Sequence, residues 1–268
     1  MNNYSGLLPI SDGYSIGQII RETFYSTTLY ASDPAGLQYV VKVFKTGKLK
    51  PSEITLFRQE YEKVINLKIG GLPVIFEIGI YHDSPAVVYE FFEPFFLSDY
   101  MLGGKPRLED FFRIAISLAG ILSDLHRNNI LCLDLRPDNV AYEWDSLKII
   151  DFSASLIITR KNEHLYNDDL IKNSLPYISP EQTGRINRTA DYRSDLYSLG
   201  IILYEMLTGH KPFTSPDPME LIHSHIAHMP VSPHEHDSSI ALVLSRIIMR
   251  LIHKSPEERY RSAGGLLA

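Results

Sequence analysis

Three polar residues in the stretch Leu131–Phe152, LCLDLRPDNVAYEWDSLKIIDF, have types and spacing suited to chemistry: Asp134, Asn139 and Asp151. Asp134 and Asn139 stand five apart in Asp-Leu-Arg-Pro-Asp-Asn, and Pro137 keeps that segment from running on as plain helix. Two short apolar runs follow, 140–142 and 147–150, with Glu-Trp-Asp-Ser between them, which predicts a β-hairpin. Closing the hairpin brings Asp151 back beside Asn139. A carboxylate and an amide oxygen in one pocket suit Mg²⁺, a hard cation that prefers oxygen ligands. Asp134 lies nearby and could accept a proton from a hydroxyl. Metal, base and a positioned nucleotide are the parts that phosphoryl transfer needs.

The elements that must position these residues carry further motifs. Cys132-Leu133-Asp134-Leu135-Arg136-Pro137-Asp138-Asn139, Asp151-Phe152-Ser153 and Ser179-Pro180-Glu181 follow one another in order. That order resembles the His-Arg-Asp-x-x-x-x-Asn, Asp-Phe-Gly and Ala-Pro-Glu set of the protein-kinase superfamily. Each piece alone is weak, because Asp and Asn are common in turns, but the ordered set is specific. The resemblance covers nearly the whole chain. It implies an α+β, bilobal protein-kinase fold, with a small antiparallel β-sheet N-lobe carrying one helix and a larger, mainly helical C-lobe. The expected division is an N-lobe over 1–92, a hinge over 93–98 and a C-lobe over 99–268. The chain stops as if inside the last helix of a longer protein.

Composition agrees with a globular protein of two lobes. The chain has 268 residues, 44% of them hydrophobic, and a formal net charge of −6. The negative balance argues against a nucleic-acid surface. One cysteine, Cys132, permits no internal disulfide and fits a reducing compartment. The start, MNNYSGLLPI, lacks the basic segment and apolar run of a signal peptide. No window reaches 18 uncharged apolar residues, so no membrane span is expected, and the expected location is cytoplasmic.

Residues 14–44 predict three strands, with Asp33-Pro34-Ala35-Gly36 as a turn before the third, QYVVKVF. Its period of two puts Val40, Lys42 and Phe44 on one face and Val41 and Val43 on the other. A lone Lys in an apolar strand usually faces solvent. By resemblance Lys42 instead matches the lysine that holds the nucleotide α- and β-phosphates. Apolar spacing predicts a helix over 51–67. Within it Glu60 matches the glutamate that orients Lys42. A hairpin is expected from 75–81 and 86–92, with a turn over 82–85. The resemblance places Tyr89 at the back of the adenine pocket, Glu90 and Phe92 at its edge, Val40 above the ring and Ala141 below it. The stretch Ile20–Thr28 is a clear departure from the family: it contains no glycine where the family has Gly-x-Gly-x-x-Gly. Glycine lets backbone N–H groups approach phosphate closely. Its loss, with Glu22 adding a negative charge, predicts weak nucleotide binding.

The C-lobe motifs are more regular. Residues 107–127 predict an amphipathic helix with Leu108, Phe111, Phe112, Ala115, Leu118, Ala119, Leu122 and Leu125 in the core, and His126 packing or capping its end. Leu133 replaces the arginine that meets a phosphorylated activation segment, so switching by that route should be weak or absent. Arg136 matches a lysine that contacts the γ-phosphate, and Ser174 a hydroxyl that contacts the catalytic aspartate. Asp195 is expected to hold the catalytic-loop backbone, and Arg259 to pair with Glu181. Residues 173–213 resemble more narrowly the kinase-like domain of large bacterial and fungal signalling proteins. In those, AAA-type ATPase, GAF and often histidine kinase modules follow. Histidines at 223, 225, 228, 234 and 236 read as a helix surface rather than a metal site, since 223 and 225 fall on different helix faces.

The function implied is Ser/Thr phosphorylation from ATP with Mg²⁺ or Mn²⁺. In it Asp134, Arg136, Asn139 and Ser174 are catalytic, and Lys42, Glu60, Val40, Tyr89, Glu90, Phe92 and Ala141 line the nucleotide site. Asn139 and Asp151 are the metal ligands. The expected partner is a protein substrate or a downstream module of the same polypeptide. The rival is a pseudokinase docking module, suggested by the missing glycines, Cys132, Leu133 and Ser153. A small-molecule kinase ranks last, because such enzymes lack the Ser-Pro-Glu segment and the helix start at Asp195–Gly200.

Overall fold

The computed structural model describes residues 10, 13–22, 26–45, 59, 61–62, 64–67, 69–92, 95–143, 146–150 and 174–268. The chain divides into two compact units, 1–94 and 95–268. Residues 93 and 94 lie outside the described residues, and Leu97 already opens the first helix of the second unit.

The first unit is built on one antiparallel sheet of five strands, ordered β1-β2-β3-β5-β4. The strands are β1 (Ser15–Glu22), β2 (Ser26–Ser32), β3 (Gln38–Phe44), β4 (Ile75–Tyr81) and β5 (Ser84–Glu90). The three strands expected over 14–44 are all present. The Asp33–Gly36 turn is closed by Gly36 N–H to the Asp33 carbonyl at 2.9 Å, and Gly36 supplies a φ of +84°. β3 lies between β2 and β5, and its β-branched residues suit that central place. Val41 packs with Ile10, Ala31, Ala86 and Val88, and the half-buried Val43 packs against the same cluster.

The β4–β5 hairpin is tighter than the sequence suggests. His82 and Asp83 both have positive φ, 44° and 60°, as in a two-residue type I′ turn. Ser84 and Pro85 therefore already pair with Tyr81 and Ile80, and β5 ends at Glu90 rather than Phe92. Of the helix expected over 51–67, residues 59, 61, 62, 64 and 65 are helical, and Glu60 lies outside the described residues.

The second unit is mainly helical. Its helices are α1 (Leu97–Leu102), α2 (Leu108–Arg127), α3 (Tyr192–Thr208), α4 (Pro218–Ala227), α5 (Pro233–His236), α6 (Leu242–Leu251) and α7 (Ala263–Leu267). A two-stranded hairpin of β6 (Val140–Glu143) and β7 (Ser146–Ile149) lies between α2 and α3 in the chain. The long helix α2 is present over the expected span. Its buried face differs from the expected one: Leu108 is 59% and Phe112 42% exposed, Ala115 is half-buried, and Ile114 and Ile121 are buried instead. Phe112 lies about 100° round the helix from the buried Phe111, so the apolar stripe is wider than the face that packs. Among the described residues no helix is long and apolar enough to cross a membrane.

The helix α3 is the central rod of this unit. Asp191 caps its start by accepting the Arg193 N–H at 2.8 Å. Gly209, with φ +78°, ends it and returns its N–H to the Glu205 carbonyl at 2.8 Å. Its middle, Gly200, touches α6. A Cβ there would stand 2.6 Å from Leu251 Cβ and 2.7 Å from Ile252 Cγ2, atoms too close to the backbone to swing away. Gly200→Ala is expected to destabilise the fold by about 1–3 kcal/mol through overpacking. A lowered melting temperature checks this, and an unchanged one contradicts it.

Candidate active site

The loop after α2 brings three of the sequence-predicted residues into one hydrogen-bonded group. Pro137–Asn139 forms a single 3₁₀ turn, with Pro137 at a position where its missing N–H costs nothing. The turn buries Asn139, whose Nδ2 donates to the Asp134 carbonyl at 3.0 Å and to Asp134 Oδ2 at 2.7 Å. Arg136 is buried too. Its Nε donates to Asp134 Oδ2 at 3.2 Å and its Nη1 to Asp138 Oδ2 at 3.0 Å. Both side-chain bonds to Asp134 fall on Oδ2, and among the described residues none is made to Oδ1.

The β6–β7 hairpin then does what its pattern predicts. Val140 pairs with Ile149, and the Ile150 N–H donates to the Asn139 carbonyl at 2.9 Å. Asn139 is thereby fixed beside the residue that precedes position 151. Asp151 itself lies outside the described residues, as do Phe152 and Ser153. Ala141 is fully buried in β6, where it pairs with Lys148 and bridges to Phe96.

Below this loop sits Asp195, in the first turn of α3 and fully buried. Its Oδ1 accepts the Leu133 N–H at 2.7 Å and its Oδ2 the Cys132 N–H at 3.0 Å. His126 Nε2 lies 2.8 Å from the same Oδ2. Asp195 thus does hold the catalytic-loop backbone. The sequence reading missed the part of His126, which ends α2 and clamps this carboxylate as well as packing. It also missed Gln182, whose Nε2 donates to the Leu133 carbonyl at 2.7 Å. His126 belongs to no motif and the Ser179-x-x-Gln182 capping box announces only a local turn, so only the folded chain brings either residue to the loop.

The expected Glu181–Arg259 pair is present and bidentate, at 2.6 and 2.9 Å, with both side chains buried. Ser194 Oγ donates to Glu181 Oε1 at 2.7 Å. Burial pushes the Glu181 carboxyl up, but the hydrogen bonds and charge of Arg259 outweigh it and hold the group below its ordinary value. Ser174 is buried at the start of the Leu175–Tyr177 turn, and among the described residues no hydrogen bond joins it to Asp134.

In the first unit Val40 pairs in register with Tyr89 and Lys42 with Val87, across β3 and β5. Val40, Lys42, Tyr89 and Phe92 are buried. Lys42 Nζ stands 5.1 Å from the centre of the Phe44 ring on the same strand face. The Tyr89 hydroxyl donates to that of Tyr61 at 3.1 Å, tying the strand to the helix before the 64–67 turn. The Glu90 N–H is held by the Val74 carbonyl at 2.8 Å. Glu22 pairs with Lys45 at 2.8 Å, so its charge is partly compensated, although such an exposed pair adds about 0–1 kcal/mol.

The histidines near the C-terminus do not form the single surface expected of them. His225 is in the core, with Nδ1 2.9 Å from the Tyr197 hydroxyl and its ring edge-on to Phe213, and burial pulls its pKa down to about 3. Among the described residues no three histidine, cysteine or acidic side chains are grouped for a metal ion.

These positions match a known family. The protein kinase domain model matches residues 10–265, nearly all of the chain. The chain belongs to the protein kinase domain family. This kinase domain is 26% identical over 267 residues to the serine/threonine-protein kinase PknB of Mycobacterium tuberculosis, which covers 97% of this chain and 42% of PknB. It is 51% identical over 90 residues to the hybrid signal transduction histidine kinase G of Dictyostelium discoideum, 34% of this chain and 3% of that protein. The chain therefore spans less than half the length of either relative. Among solved structures, the PknI kinase domain of Mycobacterium tuberculosis, crystallised as a point mutant, superposes with a TM-score of 0.74 at 16% identity, over 96% of this chain and 93% of that one. The fold is the bilobal protein-kinase fold, with the antiparallel sheet in the N-lobe and the helices in the C-lobe.

The kinase domain's buried ion pair has a measurable signature. Removing Glu181 leaves the Arg259 charge buried and unpaired, which commonly costs about 3–5 kcal/mol. The Glu181 carboxyl has a lowered folded pKa, so its contribution is complete above the unfolded value of 4.5 and is lost as pH falls through the folded value. The stability gap between wild type and Glu181→Gln should therefore narrow as pH drops below about 4.5. Urea melts across that range check this, and a gap that does not change with pH contradicts it.

Proposed function

We propose that this kinase domain transfers the γ-phosphoryl group of ATP to a serine or threonine hydroxyl of a protein. The observation that carries the reading is the convergence of Asp134, Arg136 and Asn139 in one hydrogen-bonded loop anchored on Asp195. Asp134 holds the acceptor hydroxyl with Oδ1 and takes its proton, while Oδ2 is kept in place by Asn139 and Arg136. The hydroxyl oxygen bonds to the γ-phosphorus as the bond to the β–γ bridging oxygen breaks, and ADP leaves with that electron pair.

The residues present suit a magnesium-bound nucleotide. Asn139 directs its amide nitrogen to Asp134, and its amide oxygen and the Asp151 carboxylate are oxygen donors of the kind a hard cation would take. Bound Mg²⁺, or Mn²⁺, supplies charge neutralisation along the phosphates. Lys42, oriented by Glu60, holds the α- and β-phosphates, and Arg136 and Ser174 assist near the transferred group. Val40, Ala141, Tyr89, Glu90 and Phe92 line the adenine site. Without glycines over 20–28, fewer backbone N–H groups can close on phosphate, so nucleotide affinity is modest. The N-lobe, hinge and C-lobe take the 1–92, 93–98 and 99–268 division in outline, with Leu97 and Ser98 at the end of the hinge already in α1.

The domain serves a larger sensor protein, in which ATPase, GAF or histidine kinase modules of the same polypeptide are substrates or partners. The narrower resemblance of residues 173–213 and the 51% identity to a hybrid histidine kinase support this.

A transfer assay with either metal tests the reading. Asp134→Ala should lower the rate by about 10²–10⁴ and leave the rise in melting temperature with Mg²⁺–ATP nearly intact. Wild type and Asp134→Ala giving the same trace with both metals would sink it.

A further inference from the structure

Gln182 has more hydrogen bonds than a turn residue needs. It follows Ser179-Pro180-Glu181, is buried, and has both ends of its side-chain amide engaged. Its Oε1 accepts the Ser179 N–H at 3.0 Å and the Ser179 hydroxyl at 3.0 Å, while its Nε2 donates to the Leu133 carbonyl at 2.7 Å. The partners dictate this orientation. A backbone N–H only donates and a carbonyl only accepts, so a flipped amide would lose both backbone bonds.

Capping alone does not account for glutamine here. Ser179 and Gln182 stand in capping-box relation at the start of the Pro180–Thr183 turn, and glutamate serves that purpose as well. The Leu133 carbonyl, however, requires a donor, which an ionised glutamate lacks. Leu133 is also the residue of this loop with a left-handed backbone, φ +58°. A leucine stays in that conformation only where its surroundings over-determine it. Its N–H is held by Asp195 and its carbonyl by Gln182. That carbonyl belongs to the planar peptide group that also contains the Asp134 nitrogen.

We infer that Gln182 is a positioning residue for the transfer reaction: it fixes the Leu133–Asp134 peptide to the Ser179–Glu181 segment and so sets the direction of the Asp134 carboxylate. The link is a permanent neutral hydrogen bond. It joins the catalytic loop to the end of the activation segment in a chain where Leu133 offers no charge to a phosphate. This inference rests on the reading of Asp134 as the residue that receives the acceptor proton.

Two substitutions separate positioning from packing. Gln182→Glu keeps the size and the cap but removes the donor while the new carboxyl is ionised. Gln182→Met removes every polar contact. Both are compared with wild type for kcat and KM across about pH 6–8.5, and for hydrogen exchange of the 131–136 segment. Gln182→Glu should lose about tenfold in kcat at the alkaline end with KM for ATP unmoved. It should regain part of that loss relative to wild type as pH falls, because the buried carboxyl then takes up a proton and can donate to Leu133. Gln182→Met should show the loss at every pH, and both variants should exchange faster over 131–136. A kcat for Gln182→Glu that parallels wild type at every pH, or unchanged exchange in both variants, overturns the inference. If wild type transfers no phosphate, the kinase reading fails, and the exchange comparison alone decides whether Gln182 holds this peptide.

Discussion

The catalytic half of this domain depends on one buried carboxylate. Asp195 has no access to water, and an unpaired charge there would be very costly. Its two oxygens accept adjacent backbone N–H groups, from Leu133 and Cys132, and Oδ2 also meets His126 Nε2. The left-handed turn at Leu133 lets neighbouring N–H groups point the same way, as in the small anion-binding concavities made by successive amides. That backbone conformation costs roughly 1–3 kcal/mol for a leucine. Each hydrogen bond to a charged acceptor returns about 1.5–3 kcal/mol, so two of them outweigh the strain.

From that point the loop has little freedom left. Pro137 restricts the next turn, Asn139 closes it onto Asp134, and the β6–β7 hairpin locks Asn139 from the other side through Ile150. Arg136 bridges two acidic side chains of its own loop, Asp134 and Asp138, and so ties the half-enclosed Asp134 carboxylate to the turn that follows it. The segment around Ser179 is held separately, by the Glu181–Arg259 pair and Ser194, and Gln182 joins the two systems. Hydrogen bonds, rather than side-chain packing alone, fix the loop that carries the Asp134 carboxylate.

Much of this was legible in the sequence, for particular physical reasons. The β6–β7 hairpin showed in two apolar runs split by polar residues, whereas the resemblance opened α3 at Asp195 and the helix begins one turn earlier, at Tyr192, behind the Asp191 cap. Glu181, Asp195 and Arg259 were assigned through the kinase resemblance, and their contacts in the fold agree with it. Periodicity was a weaker guide to burial. It put Leu108 and Phe112 in the core because they are apolar and suitably spaced, yet the helix packs on a narrower face. It made His225 part of a surface, although a tyrosine hydroxyl and burial make it a core residue. The contacts of His126 with Asp195 and of Gln182 with Leu133 left no signal, since the partners lie 69 and 49 residues apart in the chain. Glu60 and Asp151 lie outside the described residues, and their parts in the site remain proposals.

The central claim is that the Asp195 carboxylate holds the catalytic loop in its working conformation, and hydrogen exchange at the Cys132 and Leu133 amides tests it most directly. Asparagine has nearly the same shape but only one accepting oxygen, so Asp195→Asn leaves one of the two N–H groups facing a donor. Both amides should be strongly protected in the wild type, and in Asp195→Asn at least one should exchange more than about tenfold faster, the equivalent of roughly 1.4 kcal/mol. Equal protection in the two proteins, with the variant still folded, would contradict the account.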